Sequence, residues 1–298
     1  MDRPSASFQS RDALMLLLLA LTWGNSFLFI KLAVSAFPPL WVVTLRMTIG
    51  GLLLVLVGIA LRRKLPRDPK MLGALAFVGL SGSALPWAGQ AWAQQFLDSG
   101  LLSVLNSCTP VATLALAVAV GQERLHRNRV LGLATAISGT LVVIRGEIGA
   151  GRSALALVVA VLATTGYAFA SVYTRAKISG KITPLPASAT QLCIGAAALA
   201  PGAWAVYGPP PAPTTVPPLA LGAVLMLGLF GTGVAFLMYF TLIERVGATN
   251  TSMVTYLVPI VGLSSGAVVR HERFGPNVFI GALLLVSGVW LAQKRPAG

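Results

Sequence analysis

The most chemically distinctive residue in this sequence is an arginine inside an apolar run. Arg46 lies about a third of the way into the mostly apolar segment 39–61. A guanidinium in the hydrocarbon of a membrane costs roughly 2–3 kcal/mol, so it requires a partner there. The partner is a substrate carboxylate, the backbone carbonyls of a neighbouring helix, or water at the membrane surface reached by the long side chain. The sequence alone leaves these three interpretations open.

Polar and aromatic residues recur at helical spacing in the other apolar runs. We interpret them as the lining of a central cavity, because polar side chains within a bilayer face other helices or water. The alternatives are that small and hydroxyl residues hold helices together, and that Tyr or Trp near the end of a run anchors it at the membrane surface. The candidate cavity residues are Trp23, Asn25, Arg46, Trp87, Gln90, Asn106, Ser107, Tyr167, Gln191, Phe236, Tyr239, Ser252 and Tyr256.

Catalytic and metal-binding groups are not expected within the runs. The eight Asp and Glu residues lie in loops or near the ends of runs. Cys108 and Cys193 both fall in apolar segments, where a free cysteine behaves as a small packing residue. We therefore expect neither an enzyme, nor a metal site, nor a cofactor. Glu123 and Glu272, which follow apolar runs, are expected to pair with arginine or to cap the next helix.

The composition predicts that these residues are carried by membrane-spanning helices. Of the 298 residues 56% are hydrophobic and 10% are charged, whereas soluble domains carry about 25% charged residues. The outer surface must therefore face lipid, and each span needs roughly 20 apolar residues. We predict an all-α membrane protein with ten transmembrane helices. The predicted spans are 13–34, 39–61, 70–92, 99–120, 129–145, 153–177, 186–206, 218–243, 248–269 and 275–293.

The basic residues predict how the chain is oriented. The formal charge of +14 is spread over short loops instead of one continuous face, so we expect no nucleic-acid partner. Sixteen of the 22 Lys and Arg residues lie on the side of the membrane that carries both termini. Because cytoplasmic loops are enriched in Lys and Arg, this bias predicts cytoplasmic N- and C-termini in a bacterial inner membrane.

An internal repeat relates the two halves of the chain at an offset of 149 residues. It predicts two five-helix domains, 1–147 and 148–298. Chance similarity between glycine-rich helices explains isolated glycine matches, but it does not readily explain a proline, a charge pair and closing glycines in one register. The matching pairs include Pro110 with Pro259, Glu123-Arg124 with Glu272-Arg273, Gly132 with Gly281, and Ser138-Gly139 with Ser287-Gly288.

The number of spans in each copy determines the symmetry. Five is odd, so the second copy must enter the membrane from the opposite side, which predicts two inverted five-helix repeats. Secondary transporters use this arrangement and bind substrate near the midplane between the repeats. Pro110 and Pro259 are then candidate hinges, although plain helix kinks explain them equally well.

The chain resembles the drug/metabolite transporter superfamily, and specifically its EamA-type proteins. The similarity rests on Glu123-Arg124-Leu125 with the glycines that follow it, and on the equivalent Glu272-Arg273-Phe274. Trp23-Gly24-Asn25-Ser26 and Thr44-Leu45-Arg46-Met47 are also similar to the family. The overall likeness is to bacterial amino acid exporters, including the aromatic amino acid type. Gln191 stands where the second repeat would carry an arginine, so only one half supplies a cation.

The resemblance and the repeat imply export of small polar metabolites by alternating access, with amino acids, including aromatic ones, as the expected substrates. No carboxylate is expected at the membrane midplane, so we expect facilitated transport or coupling by an unusual route. The alternatives are efflux of lipophilic cations, for which the runs offer no acidic anchor, and a non-transporting scaffold. The expected partners are a small-molecule substrate and the lipid bilayer. The glycine faces of the fifth and tenth spans are expected to contact either the rest of the bundle or a second copy in a homodimer.

Overall fold

The computed structural model describes residues 9–294, and within this range the chain is helical with no strand. The α-helices are α1 (Ser10–Ala33), α2 (Pro39–Ala60), α3 (Pro69–Gly79), α4 (Leu85–Ala93), α5 (Ser99–Asn106), α6 (Thr109–Ala119), α7 (Arg127–Gly149), α8 (Ala154–Lys177), α9 (Pro184–Tyr207), α10 (Pro218–Gly228), α11 (Ala235–Thr251), α12 (Val254–Arg270) and α13 (Pro276–Gln293). Short π-helical turns join α3 to α4 and α10 to α11, so each of these pairs forms one continuous span.

Nine helical segments in the described range are long and apolar enough to cross a membrane, and a tenth is shorter. The shorter helix is α12, whose 17 residues lie within the predicted span 248–269. That span is not one regular helix, because the chain turns at Ser252 and Met253 before α12 begins. Just before it, Gly247 has a φ of +82°, a conformation that glycine adopts without steric cost. The ninth predicted span therefore begins with a turn, and its regular helix is shorter than the predicted run.

Large apolar side chains cover the outside of the helical bundle. Leu56, Ile59, Leu155 and Leu283 are 62–70% exposed although each lies within a predicted span. A soluble protein rarely exposes a continuous apolar surface of this extent. The chain is a multi-pass membrane protein, and these side chains face lipid.

The two π-helical turns occupy corresponding positions in the two halves of the chain. They span Leu80–Ala84 and Leu229–Val234, and their first residues are separated by the 149-residue offset seen in the sequence. A π-helical turn widens the helix by one residue and leaves carbonyls poorly paired, which is why such turns recur at functional sites. In the second turn, the Thr232 hydroxyl donates to the Leu227 carbonyl at 2.9 Å.

The glycines that close each half bring α7 and α13 into close contact. A Cβ on Gly139 would lie 2.7 Å from the Gly281 carbonyl oxygen and 2.8 Å from the Leu285 nitrogen. Gly132 and Gly288 are in similarly close contact about two helical turns further along the two helices. Close approach of two helix backbones through small residues is a common way of packing helices in membranes. Of the two alternatives for these faces, the structure therefore shows packing within the bundle.

We expect Gly139→Ala to lower the thermal stability of the protein in detergent. The added methyl group overpacks the α7–α13 contact, which costs about 1–3 kcal/mol. Gly73→Ala is the matched control, because no described packing neighbour outside the local helix backbone lies within 4 Å of where its Cβ would be. Unfolding followed by tryptophan fluorescence measures both. Equal melting temperatures for the two variants would contradict the glycine-mediated contact.

Candidate central cavity

A cavity of about 1120 Å³ lies among helices drawn from both halves of the chain. At one end it is lined by exposed residues of the α8–α9 loop, including Ser179 and Lys181. At its depth it is lined by Arg46 and Gln90, which are only 6% and 3% exposed. The cavity therefore connects a surface loop with the interior of the bundle. We call the face of the protein that carries the α8–α9 loop the open face.

The opposite face of the protein carries the α4–α5, α7–α8 and α12–α13 loops. Among the described residues, none from the ranges 94–98, 150–153 and 271–275 lines the cavity. We call this side the closed face. The alternation of the spans places these three loops together, and the contacts between them are described below.

The structure brings together most of the candidate cavity residues. Asn25, Ser252 and Tyr256 do not line the cavity. The Asn25 side chain donates to the Leu21 carbonyl of its own helix at 2.8 Å, and the Tyr256 hydroxyl donates to Gln293 Oε1 at 2.7 Å. Ser252 lies in the turn between α11 and α12. The ten candidates that line the cavity are Trp23, Arg46, Trp87, Gln90, Asn106, Ser107, Tyr167, Gln191, Phe236 and Tyr239.

The residue next to Asn25, Ser26, is a lining residue that the sequence analysis did not predict. Ser26 lines the cavity, and its hydroxyl donates to the Thr22 carbonyl at 2.9 Å. Consecutive residues of an α-helix point about 100° apart, so the cavity faces Ser26 and not Asn25. A strict helical count from Trp23 selects Ser26, three residues on, and this spacing could have identified it.

The two candidate hinge residues lie in different settings. Pro110 is near the start of α6 and lines the cavity, whereas Pro259 is buried inside α12 and does not line it. The backbone next to Pro110 breaks between α5 and α6 at Ser107 and Cys108. A hinge role at either proline remains a prediction.

Arg46 is held at the second π-helical turn. Its Nε donates to the Thr232 hydroxyl at 2.8 Å, and its Nη2 donates to the Gly231 carbonyl at 3.3 Å. The guanidinium carbon lies 3.8 Å from the centre of the Trp87 ring, in a cation–π contact. No Asp or Glu occurs among the described residues that line the cavity. Since a guanidinium has five N–H donors, these two bonds leave donors for a further acceptor.

A chain of hydrogen bonds fixes the polar side chains next to Arg46. The Tyr167 hydroxyl donates to Gln90 Oε1 at 3.2 Å, and Gln90 Nε2 donates to Asn106 Oδ1 at 2.7 Å. The chain links α8, α4 and α5. It orients the two amides without placing a charge between them.

Aromatic side chains form one wall of the cavity. The Trp23 and Tyr239 rings are tilted, with centroids 5.3 Å apart. Phe240 continues this wall at 5.6 Å from Tyr239 and 5.9 Å from Phe236. Such contacts favour an apolar or aromatic ligand group beside the polar end marked by Arg46.

Two charged side chains hold the helix ends at the closed face. The Lys31 ammonium donates to the Gln94 and Leu97 carbonyls, each at 2.7 Å, just after α4 ends. Cations are favoured at the C-terminus of a helix, where the unpaired carbonyls carry partial negative charge. Lys31 thereby ties α1 to the end of the α3–α4 span.

The negatively charged Glu272 binds the N-terminus of α5, next to the helix end that Lys31 binds. Its carboxylate accepts from Ser99 N at 2.9 Å, the Ser99 hydroxyl at 2.8 Å and Gly100 N at 3.0 Å. These groups begin α5, where the helix dipole favours an anion. Glu272 therefore caps a helix in the other half of the chain and not the helix that follows it.

An ion-pair network crosses the closed face between these caps. Arg152 pairs with Asp98 and lies 3.7 Å from Glu147, which accepts a 2.8 Å hydrogen bond from Asn277. Burial raises the pKa of the Asp98 carboxyl, and the Arg152 guanidinium opposes that rise. The network joins the α4–α5 loop, the α7–α8 loop and the start of α13. It closes the end of the bundle opposite to the cavity mouth.

Ion pairs are also present toward the open face, and one of their residues, Arg175, lines the cavity. Glu123 pairs with Arg175 at 2.6 Å and with Arg129 at 2.9 Å, which confirms arginine pairing for this residue. The hydrogen bond from Arg175 lowers the pKa of Glu123. Asp12 and Arg245 pair at 2.6 Å and join α1 to α11.

A multi-pass bundle that encloses a cavity with polar and aromatic lining residues, open at one face and closed at the other, has the architecture of a membrane transport protein. The comparisons with known proteins agree. The chain belongs to the EamA-like transporter family, whose model matches residues 11–145 and, separately, residues 154–293. The resemblance found in the sequence is thereby confirmed.

Curated relatives match almost the whole chain. An uncharacterized transporter, YoaV of Bacillus subtilis, is 27% identical over 91% of this chain and 92% of its own. A probable amino-acid metabolite efflux pump of Escherichia coli is 25% identical and covers 94% of each chain. A probable terminal-alkyne amino-acid exporter of Streptantibioticus cattleyicolor is 26% identical over 97% of this chain and 95% of its own.

A solved crystal structure shares the fold. Its chain is 20% identical, the alignment covers 96% of this chain and 97% of that one, and the TM-score is 0.67. At 20% identity, this similarity shows a shared arrangement of helices and nothing about function.

We expect Arg152→Gln to loosen the closed face. The substitution removes the cation that Asp98 and Glu147 share, so the helix ends beneath the network become accessible to water. A cysteine replacing Gln94, whose side chain is 0% exposed, reports this opening through its rate of reaction with a water-soluble maleimide. We expect faster labelling when Arg152 is replaced.

The control for this experiment is Arg145→Gln, which removes the same charge from an exposed position on α7. Cys108 and Cys193 are first replaced by serine, so that only the introduced thiol reacts. Labelling that is unchanged by Arg152→Gln, or accelerated equally by Arg145→Gln, would contradict a closing role for the network.

Proposed function

We propose that this protein exports small carboxylate-bearing metabolites, amino acids among them, across a bacterial inner membrane by alternating access. The observation that carries the proposal is a buried guanidinium with no acidic partner among the described lining residues, in a cavity that reaches one face of the bundle. A carboxylate supplies the charge that the site lacks. The family and the printed names of two relatives, which concern amino-acid efflux, support transport of this class of solute.

Two inverted repeats, 1–147 and 148–298, are part of the proposal. Separate matches of one family model to residues 11–145 and 154–293 support them. So do the paired π-helical turns at Leu80 and Leu229. If the repeats exchange conformations, the cavity closes at one face as it opens at the other, which is the basis of alternating access.

The orientation follows from the distribution of basic residues. The topology predicted from the sequence places both termini and sixteen of the 22 Lys and Arg residues on the same side as the α8–α9 loop, which marks the open face. We propose that this face is cytoplasmic, in agreement with the positive-inside rule. The structure then corresponds to an inward-open state that accepts substrate from the cytoplasm. The network around Arg152 and the cap at Glu272 close the external side.

The charges of the cavity distinguish between the candidate substrates. Lipophilic cations, the main alternative, would meet Arg46 deep in the cavity and Arg175 and Lys181 near its mouth. Like charges in a medium of low dielectric repel strongly. Aromatic amino acids fit better, because the wall of Trp23 and Tyr239 lies in the same cavity as the cation.

The energy source follows from the position of the carboxylates. Asp12 is paired with Arg245 at the start of α1, and Glu272 caps α5 at the closed face. No Asp or Glu in the described part of the chain lines the cavity, where a coupling proton would bind. We propose facilitated export down the gradient of the solute.

We expect Arg46→Met to abolish uptake of a labelled aromatic amino acid into proteoliposomes. Methionine keeps the apolar contact with Trp87 but loses the charge that attracts the carboxylate. Arg46→Lys retains the charge without the planar fork and should keep part of the activity. Arg63→Met, at an exposed loop position, is the control and should transport normally. Undiminished transport by Arg46→Met would overturn the assigned role of Arg46.

A further inference from the structure

The charges that line the cavity are all of one sign. Arg46 provides a cation at its depth, and Arg175 and Lys181 provide cations near its mouth. Arg175 is paired with Glu123 outside the lining, but Arg46 has only neutral partners, Thr232 and Gly231, among its described hydrogen bonds. The cavity therefore offers Arg46 as a binding group for the carboxylate of a ligand.

The α-ammonium group of an amino acid has no comparable match. It lies two bonds from the carboxylate carbon, so docking the carboxylate on Arg46 brings it close to the guanidinium. Repulsion between like charges is strong where water is excluded. The nearby carboxamide oxygens of Gln90 and Asn106 each already accept one hydrogen bond, from Tyr167 and from Gln90, and they carry no negative charge to offset the repulsion.

The aromatic surface does not replace the missing anion. Arg46 already covers the Trp87 ring, with 3.8 Å between the guanidinium carbon and the ring centre. Trp23 and Tyr239 contact each other, and they present a wall suited to an apolar group. The amide of Gln191 lines the cavity as well, but it is a neutral dipole. The geometry matches an anion with an apolar tail better than a zwitterion.

We propose that the cavity selects monocarboxylates with an aromatic or branched apolar tail and no cationic nitrogen, such as 2-oxo acids and N-acylated amino acids, over the parent amino acids. This selection rests on the proposed function, because it concerns the solute that the same cavity exports. The ligand is recognised at two points. Arg46 binds the carboxylate, and the Trp23–Tyr239 wall binds the tail.

The test compares three probes with the same aromatic tail: N-acetyl-L-phenylalanine, L-phenylalanine and phenethylamine. Binding to the purified protein is measured by quenching of tryptophan fluorescence, and transport by uptake into proteoliposomes, with protein-free liposomes giving the background. We expect N-acetyl-L-phenylalanine to bind about tenfold more tightly than L-phenylalanine, which is the factor produced by a difference of about 1.4 kcal/mol. Phenethylamine should not bind.

The two measurements separate this inference from the proposed function. Tighter binding of the N-acetyl compound without uptake would support the selection and contradict export. Uptake of L-phenylalanine with equal or tighter binding than the N-acetyl compound would support export and overturn the selection. Failure of all three probes to bind would overturn the selection as well.

One substitution should reverse the preference. Asn106→Asp retains an oxygen that accepts from Gln90 and introduces the missing anion into the cavity, so L-phenylalanine should gain affinity relative to its N-acetyl derivative. Gln95→Glu adds the same charge at an exposed position near the closed face and should leave the preference unchanged. A preference that is unaltered by Asn106→Asp, in a protein that still binds the N-acetyl compound, would contradict the missing-anion argument.

Discussion

A guanidinium buried in the membrane interior must be satisfied where it stands, and this requirement organises the centre of the protein. Arg46 is only 6% exposed at the depth of the cavity, and no carboxylate lines the cavity in the described part of the chain. Hydrogen bonds to charged groups contribute more than neutral ones, and losing them in a dry interior is costly. The site therefore depends on the π-helical turn that supplies Gly231 and Thr232, and on the Trp87 ring.

The other charged side chains described above lie toward the two faces of the bundle, away from Arg46. At the closed face, Lys31 and Glu272 neutralise the partial charges of two facing helix ends. Arg152 joins the loops beside them. Because these contacts lie between separate helices, they can form in one conformation and break in another. Contacts that can form and break in this way fit the alternating access proposed above.

Apolar periodicity and helix-breaking residues predicted most of the fold. The predicted spans match the observed helices closely because a membrane helix must satisfy its own backbone, which leaves little choice of structure. The fourth and ninth spans each contain a turn, at Ser107–Cys108 and at Ser252–Met253, which hydropathy alone cannot distinguish from a continuous helix. The π-helical turns were also missed, because their mixture of apolar and small polar residues has no spacing that distinguishes them from an α-helix.

The site was predicted in part. Residues with a strong reason to avoid lipid, such as Arg46 and Gln90, were found to line the cavity. Asn25 was misplaced by a single helical position, because a polar side chain can also be satisfied by its own helix. The partners of Lys31 and Glu272 come from helices distant in the sequence, and spacing along one helix cannot identify them.

The most direct test of the central claim is to observe the Arg46 guanidinium while a ligand binds. Protein labelled with ¹⁵N-arginine gives guanidinium N–H resonances, and the Arg46→Lys variant identifies those of Arg46. If the guanidinium holds the carboxylate, the addition of a ligand that quenches tryptophan fluorescence will shift the Arg46 resonances and leave those of the loop arginines in place. Ligand binding with unchanged Arg46 resonances would contradict the assignment.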